Sequence, residues 1–155
     1  MTSATRRGPG QLDRRGFVAT AASVVAAAAL PGCASFVATP VTPEAGAVHL
    51  AVRNFPQLEQ PGGYLRIRPA GEATTLLVLH LEDSRYAVVS SICTHLQCTV
   101  NVEGARLVCP CHGSTYDREG TLLRGPAMRP LRRYPARLSA EGELVIELGA
   151  ASWAP

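Results

Sequence analysis

The chain has 155 residues, with 15 basic and 12 acidic side chains and a formal net charge of +3 at pH 7. Residues 1–32 hold four arginines and one acid (+4 − 1 = +3), so residues 33–155 balance the remaining eleven arginines against eleven acids. The basic balance therefore belongs to the N-terminal segment and implies no nucleic-acid-binding surface. The rest of the chain leaves room for one small domain.

The N-terminal segment, residues 1–32, is predicted to be an export signal. Arg14 and Arg15, followed by Gly16-Phe17-Val18, resemble a twin-arginine signal, which exports folded proteins. The apolar run 17–30 would span about 21 Å as a helix, shorter than the hydrocarbon core of about 30 Å, and Pro31-Gly32 ends it. We expect a signal segment rather than a permanent anchor, and hence a location on the periplasmic side.

Leu30-Pro31-Gly32-Cys33 resembles a bacterial lipobox, so Cys33 is predicted to carry a lipid that tethers the protein to the membrane. Ordinary signal cleavage and an uncleaved N-terminal anchor stay open as alternatives. The Pro/Ala/Thr-rich residues 33–46 are interpreted as a flexible tether.

Residues 47–155 show short alternating or apolar runs separated by turn residues, which predict an all-β sandwich or barrel. The turns are expected at Glu103-Gly104 and Glu141-Gly142. The predicted strands are 48–52, 64–68, 75–81, 86–91, 99–102, 106–108, 131–138 and 143–148.

Two short boxes, Cys93-Thr94-His95-Leu96-Gln97-Cys98 and Cys109-Pro110-Cys111-His112-Gly113-Ser114, dominate the chemistry. Together they offer thiolates and imidazoles, a ligand type that suits zinc or an iron–sulfur centre. Zinc sites usually pair Cys with Cys and His with His, whereas each box here offers one Cys with one His at ligand spacing, as Cys-x-His and Cys-x-x-His, which argues against zinc. The other two histidines, His49 and His80, lie in strand-like runs and are not predicted to be ligands.

These boxes resemble those of Rieske [2Fe-2S] proteins of the high-potential cytochrome bc type. The resemblance implies one [2Fe-2S] cluster on a small cluster-binding subdomain, about residues 91–127, of an antiparallel β-sandwich. It implies that the ligands are Cys93, His95, Cys109 and His112 and that a disulfide joins Cys98 to Cys111. It also implies that the cluster is tuned through hydrogen bonds by Ser114 and Tyr116. The cluster is expected to be covered by the loop Gly125-Pro126-Ala127, called the Pro loop below, with Leu96 at the partner-facing tip.

Hydroxyl donors near sulfur favour the reduced state, so we expect a midpoint potential in the upper half of the Rieske range of about −150 to +300 mV. The imidazole ligands predict proton-coupled electron transfer, with a potential that falls as the pH rises into the alkaline range. The disulfide implies an oxidising compartment, in agreement with the export signal.

Five arginines, Arg124, Arg129, Arg132, Arg133 and Arg137, fall in a stretch with no acid between Glu119 and Glu141. The stretch is either a solvated strand edge or a docking surface for an acidic partner near the Pro loop.

Without a catalytic constellation of its own, the chain is expected to act as an electron-transfer component rather than as a catalyst. The first interpretation is the iron–sulfur subunit of a quinol–cytochrome c reductase-like complex, with a quinol and a b- or c-type cytochrome as partners. The alternatives are the small subunit of an arsenite-oxidase-like molybdenum enzyme and a free-standing lipoprotein carrier. The boxes do not identify the partner.

Overall fold

The computed structural model describes residues 37–153, whose regular structure consists of short strands and three 3-10 helices of one turn, Val52–Asn54, Pro56–Leu58 and Glu82–Ser84. The predicted all-β class is confirmed. The strands are β1 (Thr39–Val41), β2 (Ala47–Ala51), β3 (Tyr64–Pro69), β4 (Leu76–His80), β5 (Tyr86–Ser90), β6 (Asn101–Glu103), β7 (Arg106–Val108), β8 (Thr115–Asp117), β9 (Leu122–Arg124), β10 (Arg132–Tyr134), β11 (Ala136–Leu138), β12 (Glu143–Glu147) and β13 (Ser152–Trp153).

The strands form three sheets. A six-stranded sheet has the order β1-β3-β4-β5-β10-β13, a three-stranded sheet the order β11-β12-β2, and a four-stranded sheet the order β6-β7-β8-β9. Every pairing is antiparallel except that of β1 with β3. The six-stranded and three-stranded sheets together are called the base domain. The four-stranded sheet comes from the chain between β5 and β10, so the base domain holds it at both ends.

Strand β4 separates two hydrophobic cores, because all five of its residues are buried and successive side chains point to opposite faces. Leu76 and Val78 pack into the core that also contains residues of β2 and β12. Leu77 and Leu79 pack into the second core together with Leu107 of β7 and other residues of the four-stranded region. One apolar strand therefore connects the base domain to the sheet that carries the two boxes.

Two buried or half-buried arginines tie these parts together. Arg66 of β3 donates to the Val100 carbonyl at 2.9 Å. Arg118, after β8, donates to the carbonyls of Gly104 and Gly63, each at 2.8 Å. Desolvation lowers the pKa of both guanidinium groups below the ordinary Arg value, yet they remain charged at neutral pH. Each charged guanidinium group therefore holds a distant segment of the chain in place by donating to its backbone carbonyls.

The strand prediction differs from the structure in three places. Part of the expected tether, Thr39–Val41, forms β1 beside β3. The run 131–138 is two strands in different sheets, because Pro135 lacks an N–H and the chain crosses over there. The prediction lacks strands β8, β9 and β13, which have two or three residues each and, unlike the equally short β7, do not follow the predicted turn at Glu103-Gly104.

The residues on which the export and lipidation predictions depend, Arg14, Arg15 and Cys33, lie outside the described residues, as does the apolar run 17–30. Across residues 37–153, we find no helix with the length and apolar character needed to cross a membrane.

The backbone packing predicts a large effect at Gly63, just before β3. A Cβ added there would lie 1.9 Å from the backbone oxygen of Gln57, so the chain would have to shift. Gly63→Ala should lower the free energy of unfolding by about 3 kcal/mol or more, measured by urea unfolding followed by circular dichroism.

Gly149→Ala is the matched control, since a Cβ at Gly149 meets nothing within 4 Å. It should change the unfolding free energy by less than about 0.5 kcal/mol. Equal stability of the two variants would contradict this description of the 57–63 turn.

Candidate metal centre

The two boxes fold into loops with the same backbone pattern. In box one, the Cys93 N–H donates to the Cys98 carbonyl at 2.8 Å, and the Gln97 N–H donates to the Cys93 carbonyl at 3.0 Å. In box two, the Cys109 N–H donates to the Ser114 carbonyl at 2.8 Å, and the Gly113 N–H donates to the Cys109 carbonyl at 2.9 Å. The fifth position of each loop has a positive φ, 60° at Gln97 and 74° at Gly113. Two equivalent loops thus present one free Cys and one His each.

The thiols of Cys93 and Cys109 are buried and take part in no disulfide. Burial opposes ionisation of Cys93, but hydrogen bonds from Tyr116 and from the backbone at His95 outweigh it and lower the pKa of this thiol. Burial raises the pKa of Cys109, and the neighbouring Cys93 acts in the same direction. The pair lies in the second hydrophobic core, so any metal bound to it would be shielded from water on this side.

The imidazoles of His95 and His112 lie together at the edge of the same region. Their ring centroids are 4.9 Å apart, and the rings are nearly perpendicular. His112 is exposed and His95 partly buried. The Nδ1 atom of His95 is buried and has no hydrogen-bond partner, which is costly unless another group bonds to it. A metal ion would satisfy this nitrogen, so the four side chains fit a site for two thiolate and two imidazole ligands.

The predicted disulfide is confirmed: Cys98 and Cys111 are bonded, with an S–S distance of 2.07 Å. It joins the end of box one to the middle of box two. The sulfur of Cys109 lies within 4.8 Å of both bridged sulfurs. Because Cys98 and Cys111 are bonded to each other, these three sulfurs do not form a separate metal site.

Tyr116 places a phenol against the Cys93 sulfur. Its hydroxyl oxygen lies 3.4 Å from Sγ of Cys93 and accepts a hydrogen bond from the Thr94 N–H at 3.3 Å. Burial, followed by the bond with Cys93, raises the pKa of Tyr116 to about 12. The phenol is therefore protonated at neutral pH and can donate to this sulfur or to Thr94 Oγ1, 3.2 Å away.

Ser114 connects box two to the Pro loop. Its hydroxyl oxygen accepts a hydrogen bond from the Ala127 N–H at 2.9 Å, and the side chain is fully buried. The Ser114 side chain also acts to lower the pKa of the Cys93 thiol. Both residues predicted to tune the cluster thus favour ionisation of the same ligand candidate.

The loop at Gly125-Pro126, which has a cis peptide bond, runs along the edge of the site. Gly125 and Pro126 are exposed, and Leu96 at the tip of box one is 63% exposed. Their role in partner contact stays a prediction. Sequence reasoning missed Thr94, whose hydroxyl donates to the Arg129 carbonyl at 2.6 Å and holds the continuation of this loop against box one.

Comparison with known proteins agrees with this geometry. The profile of the Rieske [2Fe-2S] domain matches residues 50–135. The cytochrome b6-f complex iron-sulfur subunit of Chlorobaculum tepidum is 30% identical over 142 residues, which cover 88% of this chain and 76% of that protein.

Among solved structures, the plasma-membrane Rieske protein PetC3 of Synechocystis is 28% identical with a TM-score of 0.49, over 54% of this chain and 84% of that one. A quaternary ammonium Rieske monooxygenase, CntA, shares the fold at 17% identity and a TM-score of 0.51, over 59% of this chain and 29% of that one. The profile match and the Chlorobaculum relative show that the chain belongs to the Rieske [2Fe-2S] domain family and binds one [2Fe-2S] cluster.

Proposed function

We propose that this protein is the iron–sulfur subunit of a quinol-oxidising complex of the cytochrome bc or b6-f type. In this role it takes one electron at a time from a quinol and passes it to a cytochrome. The observation that carries the proposal is the division of the site into a buried thiol side and a surface imidazole side. The name of the Chlorobaculum relative supports a complex of this type over the molybdenum enzyme and the free-standing carrier.

The cluster, when bound, supplies reversible one-electron chemistry. Cys93 and Cys109 would hold it from the core side, where exposed fractions of 0% and 1% exclude a partner. His95 and His112 would hold it from the surface side, so a donor or acceptor can approach only across the imidazoles. Proton uptake on reduction stays a prediction, which is based on the imidazole ligands.

Ser114 and Tyr116 would set the redox level. An electron added at the site increases the negative charge on the sulfur atoms, and hydroxyl donors aimed at sulfur stabilise that charge. The apolar surroundings strengthen this interaction, because Ser114 and Tyr116 are fully buried. These donors support a high-potential cluster that can accept an electron from a quinol.

We also propose that the protein is exported after folding and works on the periplasmic side of the membrane, held there by lipid on Cys33 or by its N-terminal segment. The Cys98–Cys111 disulfide supports an oxidising location. The Arg14-Arg15 pair supports an export route that accepts a protein with its cluster already inserted.

The complex itself provides the test of this function. Membranes that contain the protein should oxidise a quinol analogue with reduction of an endogenous cytochrome, and a bc-type inhibitor should abolish the reaction. His112→Ala, which removes one of the two surface imidazoles, should reduce the rate by at least about 100-fold. Full quinol oxidation in membranes that lack this protein would contradict the proposal.

The hydroxyl donors predict a shift in midpoint potential. If the hydrogen bond from each hydroxyl is stronger by about 1 to 2 kcal/mol in the reduced state, Ser114→Ala and Tyr116→Phe should each lower the midpoint potential by about 50 to 90 mV. Potentiometric titration of the cluster-loaded protein measures this shift.

Tyr86→Phe is the matched control, because the Tyr86 hydroxyl donates to the Leu58 carbonyl at 3.0 Å and contacts no site residue. Its midpoint potential should stay within about 10 mV of that of the unmodified protein, because the substitution removes no hydrogen bond to sulfur. Equal shifts in Tyr86→Phe and Tyr116→Phe would mean that the phenol at the site does not tune the potential.

The disulfide predicts kinetic protection of the cluster. In the native protein the disulfide links two residues with a sequence separation of 13. In the double variant Cys98→Ser with Cys111→Ser, the two loops lose this covalent link. A loop of this size is worth about 3 kcal/mol, so loss of the visible cluster absorbance in the presence of a chelator should be at least tenfold faster. An unchanged rate of loss would show that hydrogen bonds alone hold the loops.

A further inference from the structure

Beside His95 lies an open cleft of about 370 Å³ with a positive lining. Its lining includes Arg129 and Arg132 together with Thr94, His95 and Gln97. Among the described residues that line this cleft, none is acidic. We call the exposed surface made by Arg129, Arg132 and the mouth of this cleft the His95 face.

The backbone fixes where these two charges lie. Thr94 Oγ1 donates to the Arg129 carbonyl at 2.6 Å, so Arg129 is attached to the same loop as His95. Arg132 begins β10, where it pairs with Trp153, and its guanidinium lies 5.6 Å from the ring centroid of Tyr134. Both side chains are exposed. The positive charge of the His95 face is therefore a property of the folded site.

Two other arginines of the same stretch lie beside carboxylates. Arg133 lies 3.6 Å from Glu119, and Arg137 lies 2.6 Å from Glu147. Neither of these two residues lines the cleft. The arginine-rich stretch is thus neither wholly a solvated edge nor wholly a docking surface, because only part of it lies next to a ligand candidate.

Exposed apolar side chains accompany the His95 face. Leu96 follows His95 and is 63% exposed, and Met128 precedes Arg129 and is 91% exposed. Apolar contacts together with arginines are typical of protein interfaces, in which Met and Arg are enriched. Charges at the rim mainly guide association and orientation.

We propose that the His95 face docks the acidic surface of a redox partner protein, with carboxylates of that partner facing Arg129 and Arg132. This inference rests on the proposed function and adds the chemistry of the partner. Residues 33–155 carry equal numbers of arginines and acids, so overall charge would not attract such a partner. The attraction is local, and it would orient the partner across His95.

The test is the second-order rate of electron transfer from the reduced, cluster-loaded protein to an acidic c-type cytochrome. At about 10 mM ionic strength the rate should exceed that at about 300 mM by at least tenfold, because salt screens the attraction. Arg129→Glu with Arg132→Glu should lower the low-salt rate by about tenfold or more and remove most of the salt dependence. Arg132→Glu alone should give an intermediate rate.

Three controls separate docking from other effects. Arg53→Glu reverses one charge, as Arg132→Glu alone does, but lies after β2, whose sheet carries no ligand candidate, and should change the rate by less than about twofold. Arg129→Lys with Arg132→Lys should retain the salt dependence. In every variant the midpoint potential and the spectrum of the reduced cluster should match the unmodified protein, which shows that the site is intact.

Rates that are equal in the double Glu variant and in Arg53→Glu would overturn the inference. So would loss of binding to anionic vesicles in the double Glu variant without a change in the rate to the cytochrome, since the surface would then face lipid. Neither result affects quinol oxidation by the complex, whose absence would instead contradict the proposed function.

Discussion

The site is built on one-sided burial: two thiols are held in a hydrophobic core while two imidazoles stay at its edge. Cys93 and Cys109 lie in the core that Leu77 and Leu79 of β4 help to form. The opposite face of β4 packs against the other sheet of the base domain. The apolar packing that stabilises the domain therefore also insulates the sulfur side of the site and leaves only the histidine side open to a partner.

Covalent and hydrogen-bonded links then hold the two loops in register. The disulfide joins the loops directly, while Ser114 bonds to Ala127 of the Pro loop and Thr94 bonds to Arg129 just after it. The hydroxyl of Tyr116 contacts the sulfur of Cys93. The contacts that hold the two loops in place therefore include a phenol placed against the sulfur of a ligand candidate.

The sequence predicted the parts of this structure that depend on local pattern. Ligand-type residues at short spacing, together with the resemblance to a known family, led to the cluster and the Cys98–Cys111 disulfide, and alternating runs led to strands such as β2 and β12. The contacts missed are long-range: Thr94 bonds to a residue 35 positions away, and Arg118 to one 55 positions away. Neither has a local signal, since a Thr or an Arg at the surface is ordinary. Strand β1 was missed because Thr39-Pro40-Val41 has the composition of a linker.

The proposed function depends on two imidazoles on the surface side that complete a site whose thiols are buried. Pulsed EPR of the reduced protein, with its histidines labelled with the heavy nitrogen isotope, detects such imidazole ligands. We expect couplings from two directly coordinated imidazole nitrogens, one of which disappears in His112→Ala. A spectrum without imidazole couplings, as expected for a cluster with four thiolate ligands, would contradict it.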